Sequence, residues 1–183
     1  IEMVGVIHPG AEAAVAHSKN GRIGVIGTNA TIGSNAYARS IHAINPELKV
    51  FSLACPLFVP LAEEGYLKKA TYLIAQDYLQ TMHDVEIDTL ILGCTHYPLL
   101  KDVIADTMGD KVTLIDSGEE TAKAVYRTLT EKRLLHSNSS QTPGPEGEKK
   151  FYVSDVPEKF TQVASRFLGW NIEKVTRIDI GQY

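Results

Sequence analysis

The chain has 183 residues, of which 44% are apolar and 22% are charged, and its formal net charge at pH 7 is −4. These values are close to globular averages and predict one large domain or two small ones around a sizeable apolar core. The weak negative charge argues against nucleic acid or an anionic membrane as a partner, and no apolar run reaches the roughly 18 residues that span a bilayer. We therefore expect a small-molecule partner.

The two cysteines, Cys55 and Cys94, lie in neither a CxxC pair nor a zinc-ligand spacing. A disulfide framework is therefore not expected, no metal is indicated, and a reducing cytoplasm is the expected compartment. The sequence also lacks GxGxxG after a strand and GxxxxGK[ST] anywhere, so it predicts no dinucleotide or nucleoside-triphosphate cofactor.

The first third of the chain predicts two strand–helix pairs. Residues 3–7 form a short β-branched run that predicts a strand, followed by a His-Pro-Gly turn and an Ala-rich helix. Residues 22–26 predict a second strand, and a turn and helix follow it up to Ile44. Three hydroxyl residues are candidate N-caps of that helix: Thr28, Thr31 and Ser34.

The next segment predicts a third strand over residues 49–54, ending at Cys55. Residues 57–65 (LFVPLAEEG) read as a loop, although an apolar loop with two acids is unusual. Residues 66–83 place apolar side chains at helical spacing and predict an amphipathic helix.

Residues 88–109 contain the side chains that we expect to be reactive. Residues 89–92 form an apolar run without polar alternation, which is typical of a strand covered on both faces of a parallel sheet. After Gly93 the turn carries three polar side chains: Cys94, Thr95 and His96. Pro98 suits the first turn of a helix, for which Thr95 is the predicted N-cap.

The remainder predicts a strand over residues 112–116, a helix from Ser117 to about Leu135, and a flexible loop over residues 137–150. A last strand (151–153), a helix opened by Pro157 and ended by Gly169, and an edge strand (175–180) follow. Alternating strands and helices predict an α/β fold with largely parallel sheets and helices on both faces.

Side chains at the carboxyl ends of parallel strands converge on one edge of the sheet, where α/β proteins bind ligands. A helix N-terminus favours a thiolate, and His96 adds charge or relays a proton, so Cys94 is a candidate nucleophile or general base. Thr28 and Thr31 lie at the same edge and are candidate donors to a carboxylate. Each residue also has an ordinary role, in packing or capping, and Cys55, which precedes a proline, is interpreted as structural.

Four segments closely resemble bacterial glutamate racemase: LILGCTHYPLL (90–100), GVIGTNATIGS (24–34), SLACPLFVPLAEEG (52–65) and TLIDSGEETA (113–122). The resemblance implies two similar Rossmann-like α/β domains and racemisation of glutamate by two cysteines, without metal or other cofactor, which supplies D-glutamate for peptidoglycan. It implies that Cys94 is one of these cysteines, that His96 assists it, and that Thr95, His96, Thr28 and Thr31 bind substrate. It leaves open a homodimer.

The resemblance also implies a missing part, because the family's N-terminal motifs, including the one with the other catalytic cysteine, do not occur here. By that analogy residues 1–17 end a truncated first domain, residues 18–115 form the second, and residues 116–183 return to the first. The chain alone is then expected to be inactive. Two alternatives stay open: a racemase for aspartate or another amino acid, or a relative that decarboxylates; and a non-catalytic fragment or interaction domain.

Overall fold

The structure, a computed structural model, describes residues 3–135 and 149–182. The chain forms two compact units, which divide between Leu135 and His136. Among the described residues, none of the helices combines the length and the apolar character that crossing a bilayer requires.

The first unit alternates strands with helices. Its strands are β1 (Arg22–Gly27), β2 (Lys49–Ala54), β3 (Thr89–Leu92) and β4 (Thr113–Asp116). Its helices are α1 (Ile7–His17), α2 (Asn29–Gly33), α3 (Ala36–Ile44), α4 (Phe58–Glu64), α5 (Lys69–Asp84), α6 (Lys101–Met108) and α7 (Ser117–Glu131), and a short 3₁₀ helix (Tyr97–Leu100) precedes α6.

The four strands form one parallel sheet in the order β2-β1-β3-β4. Chain order therefore reverses direction at β1: the chain moves to β2 on one side and then returns to β3 on the other. All four residues of β3 are buried, which confirms the prediction of a strand covered on both faces.

Helices cover both faces of this sheet, because apolar strand residues alternate between two cores. Ile26, Leu90 and Leu92 pack with residues of α4, α5 and α6 on one face. Ile23, Val25, Ile91 and Ile115 pack with residues of α1 and α3 on the other. The predicted α/β class with a parallel sheet is confirmed.

The second unit contains β5 (Phe151–Val153), α8 (Pro157–Leu168) and β6 (Val175–Arg177), followed by a 3₁₀ turn (Ile180–Gln182). β5 and β6 pair in parallel with α8 as the connection between them. Pro157 begins α8, and Gly169 ends it with a φ of +70°, as predicted. The predicted edge strand over residues 175–180 is shorter, since it ends at Arg177.

Three predicted elements are wrong. Residues 3–7 form no strand, because helix α1 already begins at Ile7 and includes Pro9 and Gly10 in its first turns. The predicted loop over residues 57–65 contains helix α4. The single helix predicted before Ile44 is two helices, separated by Asn35 with a left-handed φ of 55°.

The predicted division into residues 1–17, 18–115 and 116–183 concerns two domains of a longer protein and stays a prediction. In this chain, α1 and α7 both belong to the first unit. Helix α7 ends at Glu131, short of the predicted Leu135. The predicted flexible loop over residues 137–150 lies outside the described residues except for Lys149 and Lys150.

Candidate active site

The candidate site lies where β1 and β3 end, at the point where the strand order reverses. In open α/β sheets a crevice forms outside the carboxyl ends of the two strands at such a point, and ligands bind there. The segments that follow these strands carry Thr28 and Thr31 after β1 and Cys94 to His96 after β3. Residues about 65 positions apart in sequence are thus brought to one edge by the fold.

We call residues 93–97 the Cys94 turn. The Gly93 N–H donates to the Ile26 carbonyl at 2.8 Å, and the Tyr97 N–H donates to the Cys94 carbonyl at 3.1 Å. A Cβ atom at position 93 would lie 2.8 Å from the Ile26 carbonyl oxygen. Glycine is therefore needed for β3 to end this close to β1.

The thiol and the imidazole of the turn face each other. Cys94 Sγ lies 3.9 Å from His96 Nδ1, and Thr95 Oγ1 lies 3.5 Å from the same nitrogen. Cys94 and His96 are half-buried, whereas Thr95 is exposed. Thr95 is not the N-cap that the sequence predicts: the residue before the 3₁₀ helix is His96, whose side chain makes no capping hydrogen bond.

A carboxylate lies on the other side of the imidazole, so that Cys94, His96 and Glu63 form a row. His96 Nε2 lies 3.3 Å from Glu63 Oε1 of α4, and the two side chains are 26% and 28% exposed. An ionised carboxylate only accepts hydrogen bonds, so it holds the proton of a neutral imidazole on Nε2. The unprotonated Nδ1 then faces the thiol of Cys94, where it can accept a proton.

Sequence reasoning missed Glu63. The signal was present, since two acids stand in the otherwise apolar segment 57–65. Its contact with His96 joins residues 33 positions apart. Because residues 57–65 were wrongly predicted to form a loop, the direction of the Glu63 side chain could not be predicted.

Thr28 and Thr31 form a hydroxyl pair at the end of β1. Thr28 is the N-cap of α2: its Oγ1 accepts the Thr31 N–H at 3.2 Å and lies 3.1 Å from Thr31 Oγ1. A Cβ at Gly27 or at Gly93 would lie 3.0 or 3.5 Å from Thr31 Cγ2, so the methyl group covers both strand ends. Of the three candidate caps, the structure shows Thr28 as the N-cap of α2, while substrate binding by either threonine stays a prediction.

Cys55 follows β2 in a different environment. It is fully buried, and burial raises the pKa of its thiol to about 12. Its carbonyl oxygen accepts a hydrogen bond from the Tyr97 hydroxyl at 2.8 Å. A buried thiol that stays protonated at neutral pH is unreactive, in agreement with the structural role predicted for Cys55.

Two further residues lie near the predicted strand and helix ends. Asp116 caps α7, because its carboxylate accepts the Gly118 and Glu119 N–H groups. His8 lies on α1 and contacts Glu12 at an exposed position.

An open cavity of about 570 Å³ in the second unit is lined by residues that include Lys149, Phe151 and Trp170. It contains none of the side chains of the candidate site. We place the site at the end of β1 and β3 because the thiol, imidazole and carboxylate meet there.

The chain is similar to known proteins over nearly its whole length. The model of the Asp/Glu/Hydantoin racemase family matches residues 1–125. A glutamate racemase from Geobacter metallireducens is 49% identical over 181 residues, which are 98% of this chain and 65% of that protein. The chain therefore spans slightly less than two thirds of the length of this curated relative.

Two crystal structures are also similar. Glutamate racemase isoform RacE1 from Bacillus anthracis is 39% identical with a TM-score of 0.88, and the match covers 98% of this chain and 65% of that one. Glutamate racemase from Francisella tularensis in complex with D-glutamate is 39% identical with a TM-score of 0.84 and the same coverage. Since the family model matches more than half of the 183 residues, the chain belongs to the Asp/Glu/Hydantoin racemase family.

Proposed function

We propose that this chain supplies one catalytic face of a cofactor-independent glutamate racemase. The observation that carries the proposal is the row of Cys94, His96 and Glu63 at the reversal of strand order, with a thiol 3.9 Å from one imidazole nitrogen and a carboxylate 3.3 Å from the other. The relatives named glutamate racemase, at 49% identity and below, support glutamate as the substrate.

Cys94 acts as the base toward one face of the substrate. His96 takes the thiol proton through Nδ1, and Glu63 stabilises the imidazolium that forms. The thiolate then removes the proton from the α-carbon: the C–H bond breaks, an S–H bond forms, and the electron pair stays on the α-carbon and spreads into the carboxylate. In the reverse direction the Cys94 thiol returns a proton to the same face.

Hydroxyl groups at this edge of the sheet stabilise the negative charge that develops on the substrate carboxylate. Removing a proton next to a carboxylate builds negative charge on its oxygens, so donors are needed there. Thr28, Thr31 and Thr95 are the candidate donors, since the first two are half-buried over the strand ends and the third adjoins Cys94. His96 contacts substrate as well as assisting Cys94.

Inversion needs an acid on the opposite face, and Cys55 is unsuited because it is fully buried, with its thiol 4.0 Å from the Leu53 carbonyl oxygen. We therefore propose that a second thiol comes from a part of the relatives that this chain does not match, and that the chain alone does not racemise. The product, D-glutamate, serves peptidoglycan synthesis in the cytoplasm, and the active enzyme is proposed to form a homodimer.

The test uses a chimera in which the unmatched N-terminal part of the Geobacter metallireducens relative precedes this chain. Incubation with L- or D-glutamate in deuterated water, followed by proton NMR and chiral chromatography, measures inversion and α-deuterium uptake. We expect the chimera to invert both enantiomers and the 183-residue chain to invert neither.

Two cysteine variants provide the matched comparison. Cys94→Ala is expected to lower racemisation by about a hundredfold or more, the usual contribution of a positioned base, while Cys55→Ala retains it. A Cys94→Ala chimera as active as the parent would refute the assignment. Faster turnover of aspartate than of glutamate would assign the substrate to aspartate, and a chimera that folds but exchanges no α-proton would indicate a non-catalytic domain.

A further inference from the structure

A buried pair of hydroxyl side chains, Tyr37 of α3 and Ser117 of α7, lies beside the Cys94 turn. Their residues are 3% and 6% exposed, and the Tyr37 hydroxyl donates a hydrogen bond to Ser117 Oγ at 2.8 Å. Ser117 follows β4 directly, so this bond joins the helix after α2 to the end of the strand next to β3. Nothing in the proposed reaction requires either hydroxyl.

The Tyr37 ring is enclosed by backbone at two glycines. A Cβ at Gly93 would lie 3.0 Å from Tyr37 Cε2, and a Cβ at Gly10 of α1 would lie 3.3 Å from Tyr37 Cε1 and 2.8 Å from Ser117 Oγ. Contacts this close require glycine at both positions, since any side chain there would displace the ring or the hydroxyl. The ring therefore supports Gly93, the residue that precedes Cys94.

Charge on the Cys94 thiol also affects the pKa of Tyr37. Burial raises the pKa of Tyr37, the hydrogen bond to Ser117 lowers it, and negative charge on Cys94 and on Asp116 raises it further, so that overall the pKa is raised. The phenol consequently stays protonated and keeps donating to Ser117 at neutral pH.

We infer that Tyr37 and Ser117 are positioning residues for Cys94: their hydrogen bond fixes the Tyr37 ring against Gly93, which holds the Cys94 thiol beside His96 Nδ1. The inference rests on the proposed function in taking Cys94 as the reacting group. Two backbone hydrogen bonds hold the Cys94 turn to itself and to β1, and the ring adds a contact from the opposite core.

The test measures the thiol itself in the 183-residue chain. The second-order rate of alkylation by iodoacetamide is followed at pH 7 by peptide mass spectrometry, which separates Cys94 from buried Cys55. Tyr37→Phe keeps the ring and removes the donor, Ser117→Ala removes the acceptor, and the double variant removes both. The control, Tyr72→Phe, removes a tyrosine hydroxyl that bonds Asp106 at an exposed position.

We expect each single variant to slow alkylation of Cys94 at least threefold, because a thiol no longer held beside the imidazole forms less of the reactive thiolate. The double variant should be no slower than the slower single variant, since both substitutions break one hydrogen bond. Tyr72→Phe should leave the rate unchanged.

All rates are measured at a temperature at which thermal unfolding shows each variant to be folded, so a loss of stability alone does not move them. A fall of less than threefold in Tyr37→Phe, or a rise, overturns the inference and leaves the pair a purely structural contact. If Ser117→Ala does not fold, Tyr37→Phe alone decides. Failure of the chimera to racemise would refute the proposed function without affecting this readout.

Discussion

Replacing Tyr97 with Phe tests how firmly the Cys94 turn is tied to the end of β2. Tyr97 is fully buried, and its hydroxyl donates to the Cys55 carbonyl oxygen at 2.8 Å. Phe keeps the ring, whose edge-to-face contact with Phe58 spans 5.4 Å between centroids. The substitution therefore removes only the hydroxyl, and the Cys55 carbonyl oxygen keeps its second hydrogen bond, from the Phe58 N–H at 3.1 Å.

The expected loss is that of one buried hydrogen bond. Such a bond contributes about 0.5–1.5 kcal/mol net, so we expect the free energy of unfolding to fall by about 1 kcal/mol. In a chain of this size each kcal/mol shifts Tm by about 2–4 °C, which predicts a Tm lower by about 2–4 °C. Burial, and then negative charge on Cys55 and Cys94, raise the pKa of Tyr97, so the hydroxyl remains a donor at neutral pH.

Thermal and urea unfolding followed by circular dichroism measure this loss, with Tyr78→Phe as the matched control. The Tyr78 ring also meets Phe58 edge-on, at 5.3 Å, but its hydroxyl accepts the Leu57 N–H at 3.3 Å and at an exposed position. We expect the control to lose less than about 0.5 kcal/mol. Equal losses in the two variants would show that the buried bond contributes nothing particular and would refute the reasoning.

Three further predictions concern stability, reactivity and packing. Burial raises the pKa of Asp88, but hydrogen bonds from four neighbouring groups lower it more, so the pKa lies below its ordinary value. The stabilisation is therefore present above the unfolded-state pKa of about 3.9 and is lost as pH falls through the lower folded-state pKa. We expect Asp88→Asn to lower the free energy of unfolding in urea by about 1 kcal/mol at pH 7 and by much less near pH 2. A loss independent of pH would contradict this. In the folded chain at pH 8, iodoacetamide should label Cys94 and spare Cys55, because burial raises the pKa of the Cys55 thiol to about 12. In urea both thiols should react, and mass spectrometry distinguishes the two labelled peptides. Early labelling of Cys55 in the folded chain would contradict this prediction. Gly93→Ala should destabilise by about 1–3 kcal/mol because its Cβ would lie 2.8 Å from a backbone carbonyl oxygen, whereas Gly33→Ala meets nothing within 4 Å and should be neutral or stabilising in the same unfolding assay.

The strands of the parallel sheet could be predicted from sequence because each is a short apolar run that ends in a turn signal. Two of the three mispredicted elements, α1 and α4, share one feature. Each has a proline, Pro9 or Pro60, as its third helical residue, and proline in a helix interior breaks the helix. Proline is tolerated in the first helical turn, where its missing N–H has no intrahelical partner.

Gly10 made the first error worse, since Pro-Gly favours a turn when only local preference is considered. Its place in α1 is explained by packing instead: a Cβ there would lie 2.8 Å from the hydroxyl oxygen of Ser117, more than a hundred residues further along the chain. Contacts at such separations are not visible in a local pattern. The same limit hid the contact of Glu63 with His96 and the bond of Tyr37 to Ser117.

The position of Cys94, His96, Thr28 and Thr31 at one edge of the sheet could be predicted because strand ends converge, but the contacts that hold the Cys94 turn in place could not. Three bonds between distant segments meet around the Cys94 turn: Gly93 N–H to the Ile26 carbonyl, the Tyr97 hydroxyl to the Cys55 carbonyl, and the Tyr37 hydroxyl to Ser117 Oγ. The first two tie the turn to β1 and to the end of β2, and the third sets the ring that supports it from the side of β4. A reacting thiol must be held to a fraction of an ångström, which loops do less well than rigid elements. Contacts from the ends of the other three strands thus surround a loop residue as they would a core residue, although Cys94 itself is only half-buried.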